Sequence, residues 1–316
     1  MMKSRAFCLG VLIVATWGTA LVQGQEKKGG PPAPAPAVET VAPAIPGVVA
    51  GGTKVVVIKN GFANTEGPVA LPDGSVIFTE SRASRITRID KDNNISTFLE
   101  NANHSDGLGF DSKGRLISTT NNTVEIVYPK GSEAVLAGPY ETRPNDLVVS
   151  KKDHIYFTLP SNKPPGVFHI APGGKAEFAA EAGSPHGIQL SPDEKTLYVA
   201  DSHSDALVVF DVKPDGTLTN HRYIGKYVGV AKGDNGFFNS NADGIAVDSE
   251  GRIYVGTLQG VQVLSPQGEN LGLIPVSQRP QNLGFAGPDK RTLYIAGQGA
   301  MYSVKMLSQG YKGRPK

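Results

Sequence analysis

One block recurs six times along the chain: a polar residue, a small or acidic one, an alternating apolar run, a Gly/Asp turn and a second apolar run. The copies begin at Glu66, Asp106, Asn145, His186, Asp243 and Asn282, so successive starts lie 40, 39, 41, 57 and 39 residues apart. The first reads Glu66-Gly-Pro-Val-Ala-Leu-Pro-Asp-Gly-Ser-Val-Ile-Phe-Thr and the fifth Asp243-Gly-Ile-Ala-Val-Asp-Ser-Glu-Gly-Arg-Ile-Tyr-Val-Gly. A unit of about 40 residues that carries several turn-separated strands is the signature of a four-stranded propeller blade. The chain is therefore expected to be all-β, a six-bladed β-propeller. Blade one should use residues 68–72, 75–80, 85–90 and 95–99, divided by the Pro72-Asp73-Gly74 turn. Only three strands follow Asn282. The β-branched run Lys54-Val-Val-Val-Ile58 is expected to supply the fourth, so that an N-terminal strand closes the ring and leaves no long free edge.

Composition narrows the function. Lys and Arg number 31 against 29 Asp and Glu, with no basic block in the body of the chain, which argues against a nucleic-acid partner. A single Cys, Cys8, excludes disulfide frameworks, Cys-ligated zinc and iron–sulfur clusters. Lys3 and Arg5 precede an uncharged, mostly apolar run from Ala6 to Val22, and small residues stand at Val22 and Gly24. Residues 1–24 thus read as a cleaved signal peptide, the apolar run of about 17 residues being short of the ~20 that a span requires. With no later stretch long and apolar enough to cross a membrane, the protein is expected to be exported, periplasmic or secreted. Residues 25–52, rich in Pro and Ala, read as a solvated linker, 53–308 as the propeller and 309–316 as a tail.

A propeller brings the first residue of every innermost strand to the central axis. Glu66, Asp106, Asn145, His186, Asp243 and Asn282 would then form one ring at one depth. Carboxylate and amide oxygens crowded into a partly desolvated channel repel one another unless a cation compensates them, and one divalent cation is the simplest resolution. Asp and Asn also open strands as turn caps, a reading that suits Asp106 and Asn282. It suits Glu66 poorly, since Glu caps turns badly and a buried Glu needs a partner.

The blocks Glu66-Gly-Pro, Arg143-Pro-Asn145-Asp146, Pro185-His186-Gly187-Ile188, Ala242-Asp243-Gly244 and Asn282-Leu-Gly-Phe-Ala-Gly-Pro-Asp-Lys-Arg-Thr-Leu-Tyr-Ile resemble the gluconolactonase, regucalcin and senescence-marker-protein family. The resemblance covers residues 53–306 and implies one divalent metal, commonly calcium, in the channel and hydrolysis of a small-molecule sugar lactone. Relatives in the wider superfamily hydrolyse organophosphates, so the fold does not fix the substrate. By matching motif, Glu66 would be a metal ligand, Asp243 both ligand and general base, Asn145 a metal or substrate contact, and Arg143 a contact to the sugar acid's oxygens. Asp106 and Asn282 are further candidates for substrate binding. Where the family resemblance implies Pro-Asn-Gly this chain has Pro185-His186-Gly187; imidazole suits zinc, iron or manganese better than calcium. His186 is thus a candidate metal ligand, or else a channel residue bonded to a neighbour or to substrate.

A divalent ion at a lactone carbonyl would stabilise the oxyanion formed as water attacks, with Asp243 taking the proton. No nucleophile elbow, phosphate loop or HExxH helix is present, so acyl-enzyme, nucleotide and zincin chemistries have no support. The alternative function is a non-catalytic secreted propeller that binds a protein or an envelope ligand. The extra residues between the fourth and fifth blocks, 226–241, fit either a loop lining the channel or a solvated excursion.

Overall fold

A computed structural model describes residues 36–314, which are built from 25 β-strands and a single 3₁₀ turn. The segment read as a signal peptide and the first part of the linker lie outside the described residues. Six antiparallel sheets follow one another in chain order. After β1 (Thr40–Val41) and β2 (Lys54–Asn60), blade 1 comprises β3 (Glu66–Ala70), β4 (Val76–Glu80), β5 (Arg85–Ile89) and β6 (Ile95–Leu99). Blade 2 comprises β7 (Leu108–Phe110) to β10 (Ala134–Ala137), and blade 3 β11 (Leu147–Val149) to β14 (Ala176–Glu181). Blade 4 runs from β15 (Pro185–Leu190) to β18 (Leu218–Lys226), and blade 5 from β19 (Ile245–Val247) to β22 (Asn270–Ile274). Blade 6 has the order β1-β2-β25-β24-β23, with β23 (Asn282–Ala286) innermost, then β24 (Thr292–Gly297) and β25 (Ala300–Lys305). The expected six-bladed propeller is what the chain forms, and β2 closes it by pairing antiparallel with β25, Val55 opposite Val304.

The buried apolar residues fall into clusters at the joints between neighbouring blades. Val69, Ile77 and Ile86 of blade 1 meet Leu108 and Leu116 of blade 2, and Phe78 meets Tyr294 and Met301 of blade 6. Both faces of a blade are covered, which is why β4 and β12 (Ile155–Leu159) are buried at every position. Stitching nearer the axis is polar. The hydroxyls of Thr79, Thr119 and Thr158 each donate to the carbonyl at the start of the next blade, at Asp106 (3.1 Å), Asn145 (2.6 Å) and His186 (2.6 Å). The inner strands also crowd one another: a Cβ on Gly67 would lie 2.3 Å from the Asp106 carbonyl oxygen, and one on Gly187 2.2 Å from that of Asp243. Glycine after the polar anchor is therefore what lets adjacent blades approach the axis.

Two segments depart from the sequence reading. The Pro/Ala-rich stretch is not a solvated linker throughout: β1 adds a fifth strand to blade 6, and Ala42, Ile45, Val48 and Val49 are buried against blades 5 and 6. Its apolar residues lack strand or helix period because they dock through a turn in which Ile45 bridges Val49. The C-terminal tail is also built in. Gly310 bridges Asp248, and Arg314, 5% exposed, pairs with Glu194 (2.6 Å) and donates to the Leu190 carbonyl (2.6 Å). The tail thus crosses the face opposite the anchors. Each buried Ile or Val in the N-terminal turn is worth about 1.5–3 kcal/mol. A chain that starts at Thr53 should consequently melt at least about 10 °C below one that starts at Pro36, by calorimetry; equal melting temperatures would show the docking to be inconsequential.

Candidate site at the channel mouth

In blades 2, 3, 5 and 6 the start of the innermost strand is set by one repeated bond. The anchor N–H donates to a carbonyl of the adjacent strand: Asp106 to Thr119 (2.8 Å), Asn145 to Thr158 (2.9 Å) and Asp243 to Gly256 (2.9 Å). In blade 6 it is Gln281, donating to Ala296 (2.7 Å), that makes this bond. The ring is therefore Glu66, Asp106, Asn145, His186, Asp243 and Gln281, and these six share a cavity of about 360 Å³ at one end of the channel. Asn282, expected in the ring, stands one residue deeper, 1% exposed, with its Oδ1 accepting from the Leu283 N–H (2.9 Å). Asp146 holds the same place in blade 3, its Oδ1 accepting from Leu147 (2.9 Å). Blades 3 and 6 lack the glycine that follows the anchor elsewhere, and this hid the register of the sixth repeat.

Electrostatically the ring is a knot of acids. Burial, then the neighbouring carboxylates of Asp243, Asp106 and Asp146, push Glu66 well above the ordinary carboxylate range, against a hydrogen bond from Asn282. Asp106 is pushed to about 7 by burial and by Asp243 and Asp146, although Arg143 (Nη2–Oδ2 3.4 Å) works in the opposite direction. Burial also raises Asp243, opposed by His186 and Arg279. The Arg279 guanidinium holds one Asp243 oxygen, Oδ2, at 3.1 Å, while Oδ1 is buried with no hydrogen-bond partner. An unpartnered carboxylate oxygen among like charges fits a cation, as does Asn145, whose side chain makes no hydrogen bond among the described residues.

His186 is fixed by its ring nitrogens. Nδ1 lies 3.0 Å from the Ser184 carbonyl and 2.9 Å from Ser202 Oγ, whose own proton goes to the Ala242 carbonyl (2.7 Å). Both are acceptors there, so Nδ1 carries a proton, and in the neutral ring Nε2 is the nitrogen with the lone pair. Among the described residues no three His, Cys, Asp or Glu side chains form a group able to hold a metal ion. An ion would thus draw on Glu66 and Asp243 together with an amide oxygen.

Arg143 is half-exposed and bonds the His104 carbonyl (2.7 Å) besides Asp106. Arg279 and Gln281 were not foreseen, yet a signal for them exists: Arg279-Pro-Gln-Asn-Leu283 repeats the form of Arg143-Pro-Asn-Asp-Leu147. The extra loop after blade 4 docks beside the mouth, with Asn241 in the cavity wall and Phe237 stacked on His203 (5.0 Å between ring centroids).

Comparison with known proteins agrees with this architecture. A family described as the SMP-30/gluconolactonase/LRE-like region matches residues 64–298, a span that includes all six anchors. A gluconolactonase of Zymomonas mobilis is 24% identical over 314 residues, covering 85% of each chain. Among solved structures, a gluconolactonase of Xanthomonas campestris is 21% identical with a TM-score of 0.73, covering 87% of this chain and 98% of its own. A calcium-binding protein, regucalcin, of Agrobacterium tumefaciens is 16% identical with a TM-score of 0.68, covering 82% and 97%.

A raised acid binds its proton more tightly in the folded protein than in the unfolded chain. The stability that Asp106 contributes is therefore fully present below about pH 4 and is lost as pH rises through about 7. In chelator, Asp106→Asn should raise the melting temperature relative to the wild type more at pH 8 than at pH 4. A difference independent of pH would contradict this.

Proposed function

The chain belongs to the SMP-30/gluconolactonase/LRE-like family, and we propose that it is a metal-dependent hydrolase that opens a sugar lactone to its hydroxy acid. The observation that carries the reading is Asp243: one oxygen is tied to Arg279, and the other is buried, unpartnered and beside further acids at the floor of an accessible cavity. Glu66 and Asp243, with the Asn145 amide oxygen, would hold one divalent cation. Their oxygen chemistry favours calcium. When bound, that cation supplies Lewis acidity at the lactone carbonyl and offsets the charge that develops there.

The remaining steps belong to side chains. Arg143 and Asn145 orient the substrate's hydroxyl oxygens, Arg143 being held in place by Asp106 and the His104 carbonyl. The Asp243 carboxylate accepts the proton of the attacking water as the new C–O bond forms, and returns it to the ring oxygen as the old C–O bond breaks. His186 offers Nε2 as an acceptor for a substrate hydroxyl, because its other nitrogen is committed to Ser184 and Ser202. Export, with residues 1–24 removed, remains part of the proposal.

A panel of aldonolactones assayed with and without chelator tests the reading: turnover that chelator abolishes and calcium restores is expected. Asp243→Asn should lower kcat at least 100-fold while the protein stays folded, and Glu66→Gln should chiefly weaken cation affinity. Undiminished turnover in Asp243→Asn would remove that residue from the mechanism. His186→Asn should leave ion preference unchanged in calorimetric titrations while raising KM, since the imidazole meets the substrate. A shift of preference from manganese toward calcium would instead put position 186 on the ion.

A further inference from the structure

The blade 6 segment Arg279-Pro280-Gln281 sends two side chains to two acids. Arg279 Nη1 reaches Asp243 Oδ2 at 3.1 Å, and Gln281 Nε2 donates to Glu66 Oε1 at 3.0 Å. Gln281 is committed at both ends: its Oε1 accepts the Gln298 N–H at 2.7 Å. A backbone N–H can only donate, so the amide oxygen must face Gln298 and the NH₂ must face Glu66. The counterpart in blade 3 is different in kind. Asn145 is one methylene shorter and makes no side-chain hydrogen bond among the described residues, and Arg143 serves Asp106 instead of Asp243. Of two segments with the same Arg-Pro-x-x-Leu form, one is left open to a ligand and the other is bound to the carboxylates.

We propose that Arg279 and Gln281 are positioning residues that preset the Asp243 and Glu66 carboxylates for the cation. The inference rests on the reading of those two acids as the cation's carboxylates. Holding one oxygen of each acid against a fixed donor leaves the other to face the channel, so that little side-chain freedom remains to be lost when the ion arrives. Partners of this outer kind typically change metal affinity 10–100-fold when removed. Asp243 shows the arrangement, with one oxygen held and one without a hydrogen-bond partner.

Gln281→Met keeps length and neutrality but removes the donor to Glu66, and Arg279→Lys keeps the charge but loses the rigid guanidinium whose Nη1 serves both Asp243 and, at 3.4 Å, the Asn241 carbonyl. Metal-free wild type and both variants are titrated with calcium and with manganese by calorimetry, and their metal-free melting temperatures are compared. The expected result is affinity weakened 10–100-fold in Gln281→Met and about tenfold in Arg279→Lys, with metal-free melting within roughly 2 °C of the wild type. Affinity within twofold of the wild type in both variants overturns the proposal. So does a wild type that binds neither ion, and that outcome also removes the metal reading of the site. A wild type that binds the ion yet opens no lactone defeats only the lactonase reading, and the affinity comparison still decides this one.

Discussion

Close approach of the innermost strands at the axis is the constraint on which everything else depends. Glycine after the anchor in blades 1 and 4 lets one backbone pass within contact of the next, and the threonine hydroxyls of blades 1 to 3 fasten each anchor carbonyl to its neighbour. Side chains far apart in sequence are thereby forced into one small volume. Glu66, Asp106 and Asp243 have their proton affinity raised there because water is excluded and like charges, that of Asp146 among them, face each other. The apolar clusters at the joints between blades stabilise the ring. The polar cost at its centre is what gives the ring a chemical use.

The distribution of countercharge around that centre is uneven in a regular way. Blades 2 and 5 each present an Asp, and the following blades 3 and 6 each supply the Arg that meets it. The two halves differ in their third residue. Asn145 is left uncommitted, while Gln281, longer by one methylene, reaches both Glu66 and a backbone N–H. Glu66 and His186 occupy the first position of each half. Near-duplication with one altered side chain per position yields an asymmetric centre from a repetitive scaffold, with the acids of Glu66 and Asp243 braced by blade 6 and Asn145 free to face a ligand.

The loop that lengthens the spacing between the fourth and fifth repeats adds an aromatic rim to the mouth through the stack of Phe237 on His203. At the opposite face the C-terminal residues tie Glu194 of blade 4, Asp248 of blade 5 and Lys290 of blade 6 to one strand of chain. One end of the channel is thus open to small polar molecules and the other is crossed by protein. Neither feature follows from the repeat itself, since both are built from residues that lie between or beyond its copies.

By itself the sequence determined the number of blades, the strands of blade 1, the closing role of residues 54–58 and five of the six residues at the mouth. These are periodic properties, and a period of about 40 residues in turn chemistry and apolar alternation is written in the order of residues. Only the tertiary structure decided that Gln281 and not Asn282 completes the ring, because blades 3 and 6 replace the marker glycine with Asp146 and Asn282, and register there is set by the Gln281 to Ala296 backbone bond. It also decided that residues 40–49 are docked, since their burial comes from blades 5 and 6 and not from any period of their own. The pairing of Arg279 with Asp243 is of the same kind: 36 residues separate the two in the chain, and what joins them is the curvature of the ring.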